Sequence, residues 1–150
     1  MKNFTLFLLL AVFCLGLAGC SKDAEVEAFI TENDAVMKDI TSKIDQNPTS
    51  AGVDDAQKSF DAKKASLKQK WDAIKDARGA QVSSETQKKL NDSMSNNMKQ
   101  LTDVSMKNAM KLAQDRDAAV KFQKLMQDYG STFGQPGGAT GGQPTGGSTK

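Results

Sequence analysis

Few residues in this chain are of types that do chemistry, and most are not spaced for it. Its 150 residues include no histidine, which removes the commonest general base and the commonest metal ligand. Asp54-Asp55 is an adjacent carboxylate pair, but successive helical residues point about 100° apart, so the two do not face one another. They are expected in the first turn of a helix, where the dipole favours negative charge. Asp115-Arg116-Asp117 reads as a solvated helix surface. Serines and lysines are abundant, yet none sits in a turn that would present a nucleophile, and no loop has calcium-ligand spacing. No catalytic residue, metal site or cofactor is expected, and the chain is read as non-enzymatic.

One cysteine does stand in a chemically informative setting. Lys2 precedes a nearly uninterrupted apolar run from Phe4 to Ala18, which is shorter than the roughly 20 residues a spanning helix needs and ends in small residues, as a processed signal does. The run closes on Leu17-Ala18-Gly19-Cys20. This resembles the lipobox of bacterial lipoproteins. The resemblance, confined to residues 1–21, implies cleavage before Cys20, a diacylglyceryl group on its sulfur and often a third acyl chain on the new N-terminus. It therefore implies anchoring to a lipid bilayer at the cell envelope. Ser21 after the cysteine implies sorting to the periplasmic face of the outer membrane in an organism with two membranes. Residues 1–19 would then be a cleaved signal peptide and 20–22 a lipidated anchor. Cys14 leaves with the signal and Cys20 carries lipid, so no disulfide is expected within the mature chain.

The elements that must position anything further are helical. The mature chain is rich in Ala, Lys, Asp, Gln and Met, and nothing alternates for long. Three helices are expected. The first spans about Asp23 to Gln46, with Val26, Ile30, Met37, Ile40 and Ile44 on one stripe, Phe29 at its shoulder and Asn33 inside it. It is ended by Asn47-Pro48 and followed by a polar connection, Thr49 to Gly52. The second starts near Val53 or Asp54, with Asp54 and Gln57 resembling a capping box, and ends at Arg78-Gly79. It carries Val53, Phe60, Leu67 and Ile74 at intervals of seven. The third, capped by Ser83 or Ser84, meets no Gly or Pro before Tyr129. Its stripe comprises Leu90, Met94, Leu101, Val104, Leu112, Ala119, Phe122, Met126 and Tyr129, with Asn97, Asn108 and Asp115 on the same line. Continuous, it would be about 70 Å long, so it must either bend near the asparagines or overhang.

Charge supports packing among these segments. Residues 22–46 carry net −4, whereas 53–79 and 82–129 each carry net +2. Short connections make sequential helices antiparallel neighbours. The expected fold is all-α: an antiparallel three-helix bundle, or a long helical hairpin in which the first two helices lie end to end against the third. Residues 23–129 form this domain. Residues 130–150, rich in Gly, Pro and Thr, are expected to be a disordered tail.

Four features remain. Lys63, Lys64, Lys68, Lys70, Lys75 and Arg78 give helix two a basic surface that would suit anionic lipid, though an ordinary solvated face is the favoured reading. Trp71 is expected at the core or its edge. Met106 and Met110, with Ala113 beside them, point away from the main stripe, so they form a partner surface, or are scattered exposed side chains of the kind proteins tolerate, or are drawn into the core by a break near Asn108. The terminal Lys150, with the lipobox and the helical body, is similar to the murein lipoproteins, whose C-terminal lysine is joined to peptidoglycan. The ending Gly-Gly-Ser-Thr-Lys and the lack of one unbroken heptad array depart from that pattern. With charges nearly balanced, 19 Lys/Arg against 18 Asp/Glu once Lys2 is removed, no nucleic-acid partner is expected. The preferred function is a tethered helical module that binds, spaces or adapts another envelope component or a second copy of itself. The alternative is a periplasmic immunity or inhibitor protein acting through the acidic first helix.

Overall fold

The computed structural model describes residues 21–77 and 81–134. They form an all-α bundle of five helices: α1 Asp23–Gln46, α2 Ser50–Ile74, α3 Ser84–Lys107, α4 Ala109–Gln114 and α5 Arg116–Thr132. No strand occurs among the described residues. The first two helices follow the hydrophobic spacing closely. Val26, Phe29, Met37, Ile40 and Ile44 are buried on α1, and Val53, Phe60, Leu67 and Ile74 on α2.

The helices run up, down, up and down. Phe29 meets Trp71 and Glu32 meets Ser66, so α1 and α2 are antiparallel. Glu27 pairs with Lys89 and Asp45 with Lys107, which sets α3 parallel to α1. Asp54 pairs with Lys121 and Gln57 bonds Asp128, which sets α5 parallel to α2. The central pair is α1 and α2, with α3 packed on α1 and α5 on α2.

The expected third helix is therefore three helices, and the reversal is made at Asp115. Asn108 only bends the chain. Its N–H bonds the Val104 carbonyl at 3.1 Å, and its own carbonyl accepts from Leu112 N–H at 2.9 Å, so the helical phase passes through it. Asp115 instead adopts an extended ψ of 97°. Its carboxylate accepts the Ala118 N–H at 3.1 Å and the Ser50 N–H at 2.8 Å. One side chain thus caps the first turns of both α5 and α2, where unpaired N–H groups and the helix dipole favour an anion. The reading of Asp115-Arg116-Asp117 as plain solvated surface is corrected here. After the break the phase is reset. Ala118, Phe122, Leu125 and Tyr129 are buried while Ala119 is exposed.

Two further boundaries move. α2 begins at Ser50, ahead of the expected Val53 or Asp54, with Thr49 as its N-cap residue. Asp54 and Gln57 consequently lie inside the helix and form no capping box. Gly52 makes the tight join feasible, because a Cβ there would overlap the backbone carbonyl of Asn47. At the other end α5 continues through Thr132, and Phe133 is buried. The folded domain runs past the expected limit at Tyr129, and residues 130–134 do not belong to a tail. Residues 1–20, 78–80 and 135–150 lie outside the described residues. These include Cys20, the residues from 135 of the expected disordered segment and Lys150, whereas the expected end of helix two at Arg78-Gly79 is overturned, since α2 already stops at Ile74 with Lys75 as its C-cap residue.

Candidate functional site

Asn33 and Asn97, polar residues inside apolar stripes, are explained by a buried network at mid-bundle. Both are fully buried. Tyr129 on α5 donates its hydroxyl proton to Asn33 Oδ1 at 3.0 Å, and Asn33 Nδ2 reaches Met94 Sδ on α3 at 3.6 Å. Asp34 accepts from Ser93 Oγ at 2.6 Å and from Asn97 Nδ2 at 2.9 Å. Among the described residues no buried side-chain polar atom is left without a partner. A satisfied network of this kind specifies which faces of α1, α3 and α5 meet, because any slip in register leaves polar atoms unpaired in a dry core. Burial pushes the Tyr129 hydroxyl up to about 12, opposed by its bond to Asn33.

Two groups in this framework give stability a defined pH window. The Asp115 carboxyl is held below its ordinary value, first by the Ser50 N–H and then by the Ala118 N–H. A depressed folded pKa contributes stability present above the unfolded value of 3.8 and lost as pH falls through the folded value. Tyr129 is the reverse case, a raised pKa whose contribution is complete below 10.0 and lost as pH rises towards about 12. Urea unfolding between pH 9 and 12 should show a loss from Tyr129 of about 3 kcal/mol, about two units at the linkage conversion, and Tyr129→Phe should remove that part while the raised Lys75, Lys88, Lys89 and Lys121 keep theirs. Acid unfolding should begin at higher pH in Asp115→Asn than in the parent.

Other charged candidates are used within the fold. Asp54 and Asp55 diverge to Lys121 at 2.6 Å and Lys58 at 3.1 Å, and α2 has no acidic residue in its first turn. Lys63 and Lys70 pair with Glu32, Lys64 with Asp128, and Lys68 and Lys75 with Asp72. The basic face of helix two is therefore partnered by acids of α1, α5 and its own next turn, as the solvated-face reading holds. The acids of α1 are engaged in the same way by Lys63, Lys70, Lys89 and Lys107.

Among the described residues the large hydrophobic side chains left exposed are Met106, Met110 and Val120. At the upper end Met106 is 72% exposed and Met110 78% exposed, and Ala113 is exposed with them. The break near Asn108 exists but does not turn these methionines inward, because the backbone bonds around Asn108 keep the helical phase.

At the lower end a groove of about 1040 Å³ opens between the first half of α3, the last turn of α2 and Phe133. Its floor includes Trp71, Ile74, Leu90, Met94, Met98 and Phe133. Trp71 is half-buried, 5.5 Å from Phe29 and 5.9 Å from Phe133 by ring centres, which places it at the core edge as expected. The groove exists because α5 has 17 residues where α1 has 24 and α2 has 25. At 1.5 Å per residue it falls about 10 Å short of the bundle's lower end. The groove is invisible to periodicity, since it is made by missing length.

No family model, curated protein or solved structure matches the chain. The assignment of a role thus depends on the residues at these two ends and on the segment before Ser21.

Proposed function

We propose that the chain is a lipid-anchored envelope lipoprotein, held to a bilayer by acylated Cys20 and acting as a non-enzymatic helical binding, spacing or adaptor module. The lipobox residues Leu17-Ala18-Gly19-Cys20 supply the anchor, and Ser21 favours the periplasmic face of an outer membrane where there are two. The observation that carries the presenting role is the exposure of Met106 and Met110 at the end of the bundle opposite Ser21. α1 has 24 residues, so this cap stands about 36 Å from the anchored end. Methionine's flexible, polarisable side chain suits an adaptable contact with an envelope protein or a second copy. No helix among the described residues is long and apolar enough to cross a membrane, so the reading uses the lipid alone for attachment. The immunity reading needs a free acidic face on α1, and the ion pairs to Lys63, Lys70, Lys89 and Lys107 work against it.

The test is Met106→Lys combined with Met110→Lys. Both sites are exposed, so melting followed by circular dichroism should stay within about 0.5 kcal/mol of the parent. Crosslinking in cells and sedimentation of the lipid-free chain should show association weakened by about tenfold or more. Unchanged association would remove the methionine cap from the reading.

A further inference from the structure

We infer that the lower groove seats an acyl chain carried by Cys20 itself, an inference that rests on the lipidation proposed above. The juxtaposition comes from the way the chain's start is tied down. Lys22 N–H bonds the Gln81 carbonyl at 2.6 Å, and Asp23 Oδ1 accepts the Ser83 N–H at 2.8 Å. Val82 and Ser84, on either side of that second contact, both line the groove. Cys20 is two residues before Lys22, a span of at most about 7 Å. A chain attached to its sulfur is therefore within reach of the groove.

The chemistry of the groove agrees with that occupant. Its floor is aromatic, aliphatic and thioether, and its volume matches the few hundred to about 1000 Å³ of sites that enclose an apolar ligand. Polar groups, among them Gln87, Asn91 and the Lys88–Asp92 pair, stand along the rim, and they leave the floor free of charge. The chain's other end also starts here, just beyond Phe133. Residues 135–150 offer only Pro136, Ala139 and Pro144 as apolar side chains and cannot replace the buried area that a longer α5 would have supplied. An acyl chain can. Seating one chain in the groove would leave fewer in the bilayer, and a single chain holds a protein to a membrane only marginally. The groove would thus set how firmly the lipoprotein is held.

The experiment uses the mature chain from Cys20 to Lys150, purified without lipid, in which Cys20 is the sole thiol and Trp71 the sole tryptophan. Cys20 is alkylated with a hexadecyl maleimide, with the same chain bearing a doxyl quencher, or with ethyl maleimide. The hexadecyl adduct should shift Trp71 emission to the blue and raise the melting temperature by roughly 5 °C. The doxyl adduct should quench Trp71 by about half or more, to the same extent at every protein concentration. Ser95→Arg, at an exposed position on the groove wall, and Met98→Lys should each return the emission to that of the ethyl adduct. Equal Trp71 emission for doxyl and ethyl adducts would overturn the inference. So would quenching that vanishes on dilution, which would mean association between molecules. Because the chain is attached chemically, this result is independent of whether cells acylate Cys20.

Discussion

Replacing Phe133 by Ala should lower stability by about 3–5 kcal/mol, the range for removing a buried phenylalanine. For a domain of this size that is a fall in melting temperature of roughly 15 °C or more. Phe133 is 3% exposed. Its ring lies 5.0 Å from Tyr129, 5.6 Å from Phe29 and 5.9 Å from Trp71 by centroid. It joins the end of α5 to both central helices, and aromatic contacts of this edge-on kind add to the area it buries. Truncation gives the sharper comparison. A chain ending at Gly130 loses Phe133 and the last turn of α5, and should lose most of the same stability. A chain ending at Gly134 keeps them and should melt within about 2 °C of the full chain, because residues 135–150 are mostly Gly, Thr, Gln and Pro and have little apolar area to bury. Calorimetry on the three chains checks this directly. Equal melting for the chain ending at Gly130 and the full chain would mean that the Phe133 packing contributes nothing.

The second large effect concerns attachment. Cys20→Ser should yield a longer, unprocessed precursor that takes up no labelled fatty acid. The sulfur is the atom to which the diacylglyceryl group would be joined, and a hydroxyl at that position removes it. Size and label are the decisive readouts, because a retained apolar segment from Phe4 to Ala18 could by itself keep the precursor at a membrane. Two or three acyl chains make release negligible, whereas one gives only marginal binding, so the labelled parent should remain with the membrane fraction through salt washing. Normal labelling of Cys20→Ser would discard the lipobox reading, while leaving the bundle and its upper methionine cap as they are.

These two predictions draw on different kinds of information. The lipobox is read wholly from consecutive residues, since a signal peptidase and an acyl transferase recognise a short local segment. The helical class is equally local. The spacing of Val53, Phe60, Leu67 and Ile74 and the position of Ser83 as a cap, accepting Thr86 N–H at 3.2 Å, depend on neighbours within one or two turns. The exposure of Met106 and Met110 was also legible as a phase argument, because the helix keeps its phase through Asn108.

What escaped the sequence has non-local partners. Asp115 reverses the chain because its carboxylate meets Ser50 N–H at 2.8 Å, a group 65 positions away, and no periodicity marks that meeting. With a continuous third helix assumed, Leu125 falls off the apolar stripe and Ala119 on it, and only the reset at Asp115 buries Leu125 and Ala118. Asn33, Asn97 and Asn108 looked like breaks in an apolar stripe until Tyr129, Asp34 and Asp45 were brought against them. Phe133 lies three residues after Gly130 and read as part of a tail, yet the ring closes a cluster drawn from three helices. The chain by itself thus determined an all-α body, a product of short-range pattern, and the expectation of a lipobox rests on the same kind of local reading. Tertiary structure decided the reversal at Asp115, the continuation of the fold past Tyr129 to Phe133, and the groove beside the start of α1, because each of these arises where segments distant in sequence meet or, in α5, fall short of meeting.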